Sequence, residues 1–176
     1  MAVILAGVYS LTQHQKLFNT NPEIYRPPHC PSCGCSRMWC HGGYTRKADR
    51  EGDVDFNPIL IPRFLCTQRA CRKSCSVLPE CISPRRWYSW SIQQAMLLLL
   101  LSGPLADEQV NPHVRTVWRW WERLKAGFDI HRFYLCSHFA LLGQYGSVST
   151  FWLACFARMP LSSAMLIIHQ GGEDIP

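Results

Sequence analysis

Two pairs of cysteines in the first half of the chain have the spacing of metal ligands. Cys30 and Cys33 form a C-x2-C pair followed by glycine, and Cys66 and Cys71 form a C-x4-C pair further along. A C-x2-C turn aims two thiolates at one point, and the glycine permits the tight backbone of a metal-binding knuckle. Four thiolates complete a tetrahedral zinc site and leave no open position for catalysis. We therefore expect a structural Zn²⁺ ion, with these four residues as the preferred ligands.

Other residues near the two pairs leave the ligand set open. The chain has ten cysteines, and a shift of register would bring Cys35 or Cys75 into the site. His29 and His41 are substitute ligands, although surface or turn positions are the more usual role of such histidines. We prefer the first four because the other cysteines fall where strand residues should pack. A redox C-x-x-C motif is the competing interpretation, but its surrounding βαβ pattern is missing.

The number of cysteines also bears on the cellular compartment, because disulfides persist mainly in oxidising surroundings. The first ten residues, MAVILAGVYS, carry no Lys or Arg and so lack the charged region of a secretory signal. The apolar run 95–101 has seven residues, whereas a membrane span needs about twenty. We expect a soluble, cytoplasmic protein with no membrane partner, in which clustered cysteines bind a metal rather than form disulfides.

Positive charge is concentrated in two blocks of the chain. The formal net charge is +6, and sixteen of the eighteen Lys and Arg residues lie within residues 26–90 and 113–132. An excess of basic residues that is clustered in this way indicates a polyanionic partner.

The cysteine pairs are positioned by elements that the patterning predicts. MWCHGGYTR and ILIPRFL have the composition of two strands on either side of a polar turn, ADREGDVD. Two knuckles, each joined to a hairpin, describe a zinc ribbon over residues 27–82, preceded by an N-terminal lead, 1–26, with no assigned role. A segment this small cannot bury enough apolar area to be stable alone, so metal binding should supply much of its folding free energy.

Four short stretches of this region, HCPSCG, HGGYTR, IPRFLC and RKSCSVLP, resemble the zinc-ribbon proteins encoded by bacterial insertion sequences and their relatives. In that transposase-associated group a C-P-x-C-G knuckle leads to an H-G-x-Y-x-R strand. The resemblance covers about residues 28–80 and implies zinc ligands at Cys30, Cys33, Cys66 and Cys71. It makes Cys75 a packing residue, and it extends more loosely to about residue 125, where similar proteins carry a helix-turn-helix.

Residues 84–128 change to helical patterning, which predicts a helix-turn-helix. One helix is predicted from about residue 88 to 101, and a short second helix over 105–110. The next is expected to begin after Asn111, which can cap it with Pro112 at the first position, and to end at Gly127. The apolar residues of this last helix form one stripe: Val114, Val117, Trp118, Trp121, Leu124 and Phe128.

The opposite side of the same helix carries a row of arginines. Arg115, Arg119 and Arg123 are spaced four residues apart, and guanidinium groups suit forked contacts with guanine or phosphate in the major groove. A charged row on a helix is more often a solvated face, with Glu122 available for ordinary surface pairs. Trp120 lies off the apolar stripe and is the best candidate for stacking on a base.

The acidic residues argue against catalysis. There are twelve, and four of them crowd one turn, at Asp49, Glu51, Asp53 and Asp55. Two-metal chemistry needs carboxylates that converge from separate elements of a rigid sheet, and the chain has no P-loop, dinucleotide fingerprint or catalytic-triad pattern. Residues 129–176 have the pattern of apolar helices that pack or associate. We expect a protein that is not an enzyme.

The predicted fold class is α+β, a small β zinc ribbon followed by a mainly α-helical region. The predicted function is zinc-dependent binding of double-stranded DNA, of mobile-element type, with a recombinase or a second copy of the chain as a further partner. The arginines of the last helix would read the sequence, and the ribbon cations would lie on the phosphate backbone. These cations are Arg63, Arg69, Arg72, Lys73, Arg85 and Arg86.

Two alternative functions remain open from the sequence. In one, the chain is an adaptor that docks a polymerase or recombinase partner and has no direct DNA readout. In the other, the ribbon and the aromatic residues bind RNA or a single strand.

Overall fold

The computed structural model of this 176-residue chain describes residues 2–47, 58–84, 88–103 and 112–172. The fold is mixed α+β, as predicted, and the described residues form a four-stranded sheet and six α-helices. The chain divides into two compact units, Met1–Ser89 and Trp90–Pro176. The first unit contains the sheet and the second contains five of the helices.

The sheet of the first unit has the strand order β1-β4-β3-β2. Its strands are β1 (Ala2–Leu5), β2 (Met38–Arg46), β3 (Ile59–Cys66) and β4 (Ser74–Pro79). β3 pairs antiparallel with both of its neighbours, and β1 pairs parallel with β4. The predicted strands MWCHGGYTR and ILIPRFL are thus confirmed, while the N-terminal lead supplies a strand and a helix that the sequence had not indicated.

Two adjacent glycines allow β2 to follow β3 through an irregularity. The register between the strands shifts between Cys40 and Gly43. Gly42 has φ +70°, in the left-handed region that glycine adopts without strain. A Cβ on Gly43 would lie 2.7 Å from the backbone oxygen of Ile61. One glycine therefore serves the bulge and the other the close approach of two backbones.

Helix α1 (Leu11–Thr20) begins at Ser10, whose Oγ accepts a hydrogen bond from the amide of Gln13. It is followed by a 3₁₀ helix, Pro22–Tyr25. In the buried core of this region, Tyr25 packs with Met38, Phe64 and Val77, and Leu17 and Phe18 of α1 pack against it. The N-terminal segment therefore covers one face of the sheet.

A buried histidine ties the same segment to β3. The Tyr25 hydroxyl lies 2.5 Å from Nδ1 of His14, and Nε2 of His14 lies 3.1 Å from the Leu60 carbonyl oxygen. Since the carbonyl can only accept, Nε2–H donates to Leu60 and Nδ1 accepts from Tyr25. Burial lowers the pKa of His14, which keeps the ring in this neutral, hydrogen-bonded form.

The second unit is helical throughout its described residues. Its helices are α2 (Trp90–Ser102), α3 (Val114–Ala126), α4 (Phe128–His138), a 3₁₀ helix (Ala140–Gln144), α5 (Val148–Phe156) and α6 (Leu161–Gln170). Helix α2 confirms the helix predicted over 88–101, and α3 ends at Gly127 as predicted. The predicted helix 105–110 and the cap Asn111 lie outside the described residues. The prediction that Pro112 is the first residue of this helix was wrong: α3 begins at Val114, and His113 caps it, its Nδ1 accepting from the amide of Arg115.

The core of this unit contains large side chains with almost no solvent exposure. They include Leu97, Leu135, Leu142, Phe151, Trp152, Leu161 and Met165. Gln94 of α2 accepts a hydrogen bond from the amide of Leu161 at 2.7 Å and so satisfies the first turn of α6. In the described part of the chain no single helix is long and apolar enough to cross a membrane, and only α5 with α6, bent by 108°, passes as a pair.

Candidate functional site

Four sulfur atoms meet at one end of the sheet. The Sγ atoms of Cys30, Cys33, Cys66 and Cys71 all lie within 4.8 Å of one another. The Sγ–Sγ distance is 3.9 Å between Cys30 and Cys71 and 3.6 Å between Cys33 and Cys66. Tetrahedral zinc with Zn–S bonds of about 2.3 Å places its sulfurs about 3.8 Å apart, whereas a disulfide brings them to about 2.05 Å. The four cysteines, all free, can therefore hold a metal ion.

The first pair lies in a tight turn, residues 30–35, that we call the first cysteine turn. The amide of Gly34 donates to the Cys30 carbonyl at 2.8 Å, and the amide of Cys30 donates to the Cys35 carbonyl at 2.7 Å. Gly34 has φ +73°. The glycine that follows the second cysteine thus has the conformation that the sequence required of it.

The second pair lies in the turn that joins β3 to β4, residues 66–73, which we call the second cysteine turn. The amide of Cys66 donates to the Lys73 carbonyl at 3.0 Å, and the amides of Cys71 and Arg72 both donate to the Gln68 carbonyl at 3.0 Å. The amide of Gln68 donates to the sulfur of Cys66 at 3.4 Å. An amide that points at a ligand sulfur orients it and stabilises its negative charge.

Arg72 has the same place in the second turn that Gly34 has in the first. Each directly follows the second cysteine of its pair, and Arg72 has φ +47°. A non-glycine residue in this left-handed region costs roughly 1–2 kcal/mol. The second turn therefore stores backbone strain that the first turn avoids.

The four thiols differ in how readily they ionise. Burial opposes ionisation of Cys30, but hydrogen bonds from the backbones of Ser32 and Cys33 outweigh it and lower the pKa of Cys30 to about 7. Burial, with neighbouring thiols adding to it, raises the pKa of Cys66 to about 12. Four thiolates cannot share this small volume without a counter-charge. A bound divalent cation would supply that charge, since a thiol that coordinates a metal is deprotonated outright.

The substitute ligands are absent from the cluster that the described residues form. Cys75 is buried in the core, as a packing residue should be, and His29 and His41 are exposed. The sulfur of Cys35 lies 3.7 Å from Oγ1 of Thr67. Cys40 is exposed on β2.

Several cations surround the second cysteine turn. Arg69, Arg72 and Lys73 are exposed, and Arg63 is half-buried on β3, where its Nη2 donates to Oγ of Ser74 at 2.9 Å. Arg85 and Arg86 lie outside the described residues. Arg37 is also exposed, next to the first cysteine turn, and the sequence analysis had overlooked it; its signal was its place two residues after Cys35.

The described carboxylates of the first unit are engaged elsewhere. Glu23 forms an ion pair with Arg26 at 2.6 Å. Glu80 is buried and accepts a hydrogen bond from the amide of Gly7. A cavity of about 690 Å³ opens between the two cysteine turns, and it is lined by Ser32, Cys33, Gly34, Cys35, Ser36, Gln68, Ala70, Cys71 and Lys73. Its lining thus contains a lysine and hydroxyl groups but no carboxylate.

Helix α3 separates apolar from basic side chains. Val117, Trp120, Trp121 and Leu124 are buried, and the arginine row, Arg115, Arg119 and Arg123, is exposed along its whole length. Glu122 forms an ion pair with Lys125, with Oε1 and Nζ 2.7 Å apart. The one carboxylate of the helix is therefore held by a lysine rather than by an arginine of the row.

The prediction for the tryptophans of α3 was wrong. Trp120 is only 5% exposed, whereas Trp118, which was assigned to the apolar stripe, is 47% exposed. At about 100° per residue, Trp120 lies some 60° from Val117 on one side and Trp118 about 100° away on the other. The buried arc is thus rotated toward Trp120, which is not available for stacking.

Helix α2 packs against α3 within the second unit. Of the connection between them, 103–113, residues 104–111 lie outside the described residues. Helices α2 and α3 are therefore packed neighbours.

Comparison with known proteins gives one family match. Residues 30–120, just over half of the chain, match a family described as a domain of unknown function (DUF6431). The matched segment contains all four clustered cysteines and extends into α3. No curated protein and no solved structure matches the chain.

Proposed function

The chain belongs to the DUF6431 family, and from this premise we propose that it is a zinc-dependent protein that binds double-stranded DNA. In this proposal Cys30, Cys33, Cys66 and Cys71 hold a structural Zn²⁺ and make the first unit a zinc ribbon. The second unit contributes a helix-turn-helix whose α3 reads the base sequence. The protein has no catalytic step of its own.

The choice of zinc is supported by the chemistry of the ligands. Four thiolates at near-tetrahedral spacing favour zinc over the hard cations, which take oxygen ligands. A site that has four protein ligands is closed, so the metal stabilises the fold and orients no substrate. The ion would fix the two cysteine turns, and with them the cations Arg69, Arg72 and Lys73, which are exposed on the second turn.

The observation that carries the proposal is the unpaired arginine row of α3. A solvated charged face normally mixes both signs, with acidic residues beside the basic ones. Here Glu122 is engaged by Lys125, and the row has no carboxylate partner among the described residues. Guanidinium groups four residues apart on an exposed helix face suit the edges of guanine and the phosphates that border the major groove.

In this proposal the first unit contacts the phosphates and the second unit contacts the bases. Ribbon cations on phosphates supply affinity that does not depend on sequence and that falls steeply with salt. The arginine row adds sequence preference. The resemblance of the cysteine region to insertion-sequence zinc ribbons supports a mobile-element setting, in which a recombinase or a second copy of the chain is a further partner.

The test is selection of binding sites from a randomised duplex pool by the zinc-loaded full-length protein. We expect an enriched sequence for the wild type. We expect Arg115→Ala combined with Arg119→Ala to lose the enrichment while keeping salt-sensitive binding, since each good base contact contributes about 1–3 kcal/mol of discrimination. Arg158→Ala, at an exposed arginine outside α3, is the matched control. If the double variant still selects the same sequence, α3 is not the reading helix.

A second candidate function is an adaptor that docks another protein. It is favoured by exposed apolar side chains in the second unit, where Phe133 is 70% and Leu141 is 65% exposed. The two candidates differ in a gel shift at low salt. Retardation of duplex DNA supports the first, and the absence of any nucleic-acid binding supports the second.

A further inference from the structure

An exposed tryptophan lies on the face of the sheet opposite the buried cluster of Tyr25, Met38 and Phe64. Trp39, on the edge strand β2, is 59% exposed and is the most exposed tryptophan in the described part of the chain. Tryptophan is highly buried on average, and the described residues offer Trp39 no aromatic or cation partner. Its exposure therefore sets it apart from the packed tryptophans of the second unit.

Strand register places Trp39 in a row across three strands. Trp39 is opposite Leu65 of β3, and Leu65 is opposite Ser74 of β4. The neighbouring residues Met38 and Cys66 are buried in the core on the other face, so the alternation of side chains directs Trp39, Leu65 and Ser74 away from that core.

Arg63 lies beside this row. It is two residues before Leu65 on β3, hence on the same face, and its guanidinium donates to Oγ of Ser74 at 2.9 Å. A side chain that is diagonal to Trp39 across two strands lies about 7–8 Å away, within reach of a long side chain and an aromatic ring. The register therefore places Trp39 and Arg63 on the same face of the sheet, with the guanidinium directed toward Ser74 of β4.

The rest of this face is covered, so that the exposed part is confined to the end near the cysteines. Ile59, Ile61, Leu78 and Ile82 form a buried cluster on the same face. Neither Arg63 nor any residue of the row (Trp39, Leu65 and Ser74) belongs to that cluster. The open patch thus consists of Trp39 and its row rather than of the whole sheet face.

Charge indicates what the patch can bind. Strands β2, β3 and β4 contain no Asp or Glu, whereas Arg63, the exposed Arg37 and the exposed Lys73 lie in or next to the row. An apolar protein segment would gain nothing from these cations. A flat π system joined to an anion matches them, because the base stacks on indole and the phosphate pairs with guanidinium.

We propose that Trp39, with Arg63 on the same face of the sheet, is a stacking platform for an unpaired nucleotide of a bound nucleic acid. This inference rests on the proposed function and adds a second mode to it. A base within a duplex is stacked on both sides by its neighbours, so that only an unpaired or extruded base can lie on the indole. The first unit therefore recognises unpaired nucleotides.

The test compares four probes that differ in the presence of bases, in the sugar or in strandedness. Labelled oligothymidylate, an abasic DNA strand of equal length, oligouridylate and a duplex are titrated with the zinc-loaded full-length protein. We expect Trp39→Ala to weaken binding to oligothymidylate about tenfold and to leave binding to the abasic strand and the duplex unchanged. Trp39→Phe should retain most of the affinity. Tyr9→Ala, at an exposed aromatic residue outside the sheet, is the matched control.

The outcomes separate this inference from the proposed function. Unchanged binding of oligothymidylate by Trp39→Ala overturns the platform and leaves duplex binding intact. A wild-type protein that binds none of the four probes overturns both proposals. A loss that extends to oligouridylate supports a platform for either nucleic acid, and a loss restricted to oligothymidylate supports one for DNA.

A second measurement needs no variant. The wild-type protein is irradiated with a strand that contains 5-bromodeoxyuridine, and the cross-linked peptide is sequenced by mass spectrometry. We expect the adduct on Trp39. An adduct confined to other residues contradicts the platform even if Trp39→Ala fails to fold.

Discussion

The two units of this molecule keep their structure by different means. The second unit surrounds Phe151, Trp152 and Met165 with helices and leaves them almost no exposed surface. The first unit has two smaller clusters, one on each face of a narrow sheet, and Cys30 and Cys66 belong to one of them. Two of its four candidate metal ligands are thus also part of its core, whereas the core of the second unit consists of apolar packing.

This difference has a consequence for function. The basic turn residues of the first unit lie next to four cysteines that can hold a metal ion, whereas the arginine row of α3 is held by the packing of Val117, Trp121 and Leu124 on the other side of its helix. Loss of metal should therefore disable the contacts of the first unit and spare those of the second. Each unit can be perturbed by a treatment that the other tolerates.

The largest effect is expected from removal of the metal. Binding of structural zinc contributes on the order of 10 kcal/mol in small zinc domains, which exceeds what a small sheet can supply by itself. A strong chelator, or Cys66→Ser, should unfold the first unit and leave α2 to α6 folded. Hydrogen exchange followed by mass spectrometry, region by region, measures both responses.

Cys40→Ser is the control for this experiment, because Cys40 is exposed on β2 and lies outside the cluster. It should leave exchange in both units unchanged. Undiminished protection of β3 and β4 after verified loss of metal would show that the first unit does not depend on coordination.

An intermediate effect is expected from acid, and here the second unit has a weakness of its own. His131 is buried against Trp152, with ring centroids 5.6 Å apart, and its Nδ1 has no hydrogen-bond partner. Burial lowers the pKa of His131 from 6.5 to about 4, opposed by a hydrogen bond to the backbone of Leu124. Between about pH 6.5 and pH 4, the His131 imidazole therefore binds a proton in the unfolded chain but not in the folded unit.

The free energy of unfolding of the second unit should therefore have its full value above pH 6.5 and fall as the pH approaches 4. The difference between the folded and unfolded pKa values of His131 lowers this free energy by about 3 kcal/mol over the interval. Urea unfolding of the helical unit at several pH values measures it, and His131→Gln should flatten the dependence. Acid also releases zinc from the first unit by protonating thiolates. Added zinc should counter acid in the first unit only, and rescue of both units would contradict this assignment.

Local signals predicted the parts of the molecule that are built from contiguous residues. Both cysteine pairs, β2, β3 and the ends of α2 and α3 follow from spacing, alternation and helix-ending residues. The parallel pairing of β1 with β4 was not predicted, because it joins Val3 to Val77 and no local pattern encodes a partner so distant. Parallel pairing also requires a long crossover, which leaves no turn signal at the strand ends.

The error on α3 has a different physical cause. The large apolar residues of this helix spread over about 160° at 100° per residue, so that periodicity alone defines a broad arc and not its centre. Which tryptophan is buried depends on the helices that pack against α3. The stacking candidate Trp120 is buried for this reason, and the exposed Trp39 was overlooked because a single tryptophan in a strand pattern does not reveal which face of the sheet is covered.

The smallest effect is expected from the backbone of the two cysteine turns, and it compares equivalent positions within the first unit. Gly34→Ala places a side chain at φ +73° and should weaken the site, although its Cβ would meet no atom within 4 Å. Arg72→Gly relieves the same conformation at φ +47° and should strengthen it. Each change corresponds to roughly 1 kcal/mol, or about fivefold in zinc affinity, as measured by competition with a chromophoric chelator.

Arg72→Ala is the control for the second change, because it removes the guanidinium and keeps a Cβ at the strained position. It should leave zinc affinity close to that of the wild type. If Arg72→Ala strengthens zinc binding as much as Arg72→Gly does, loss of the guanidinium side chain, rather than relief of backbone strain, accounts for the gain. Gly34→Ala should lower zinc affinity and Arg72→Gly should raise it. These opposite changes are expected if both turns hold one ion and each depends on a left-handed residue after its second cysteine.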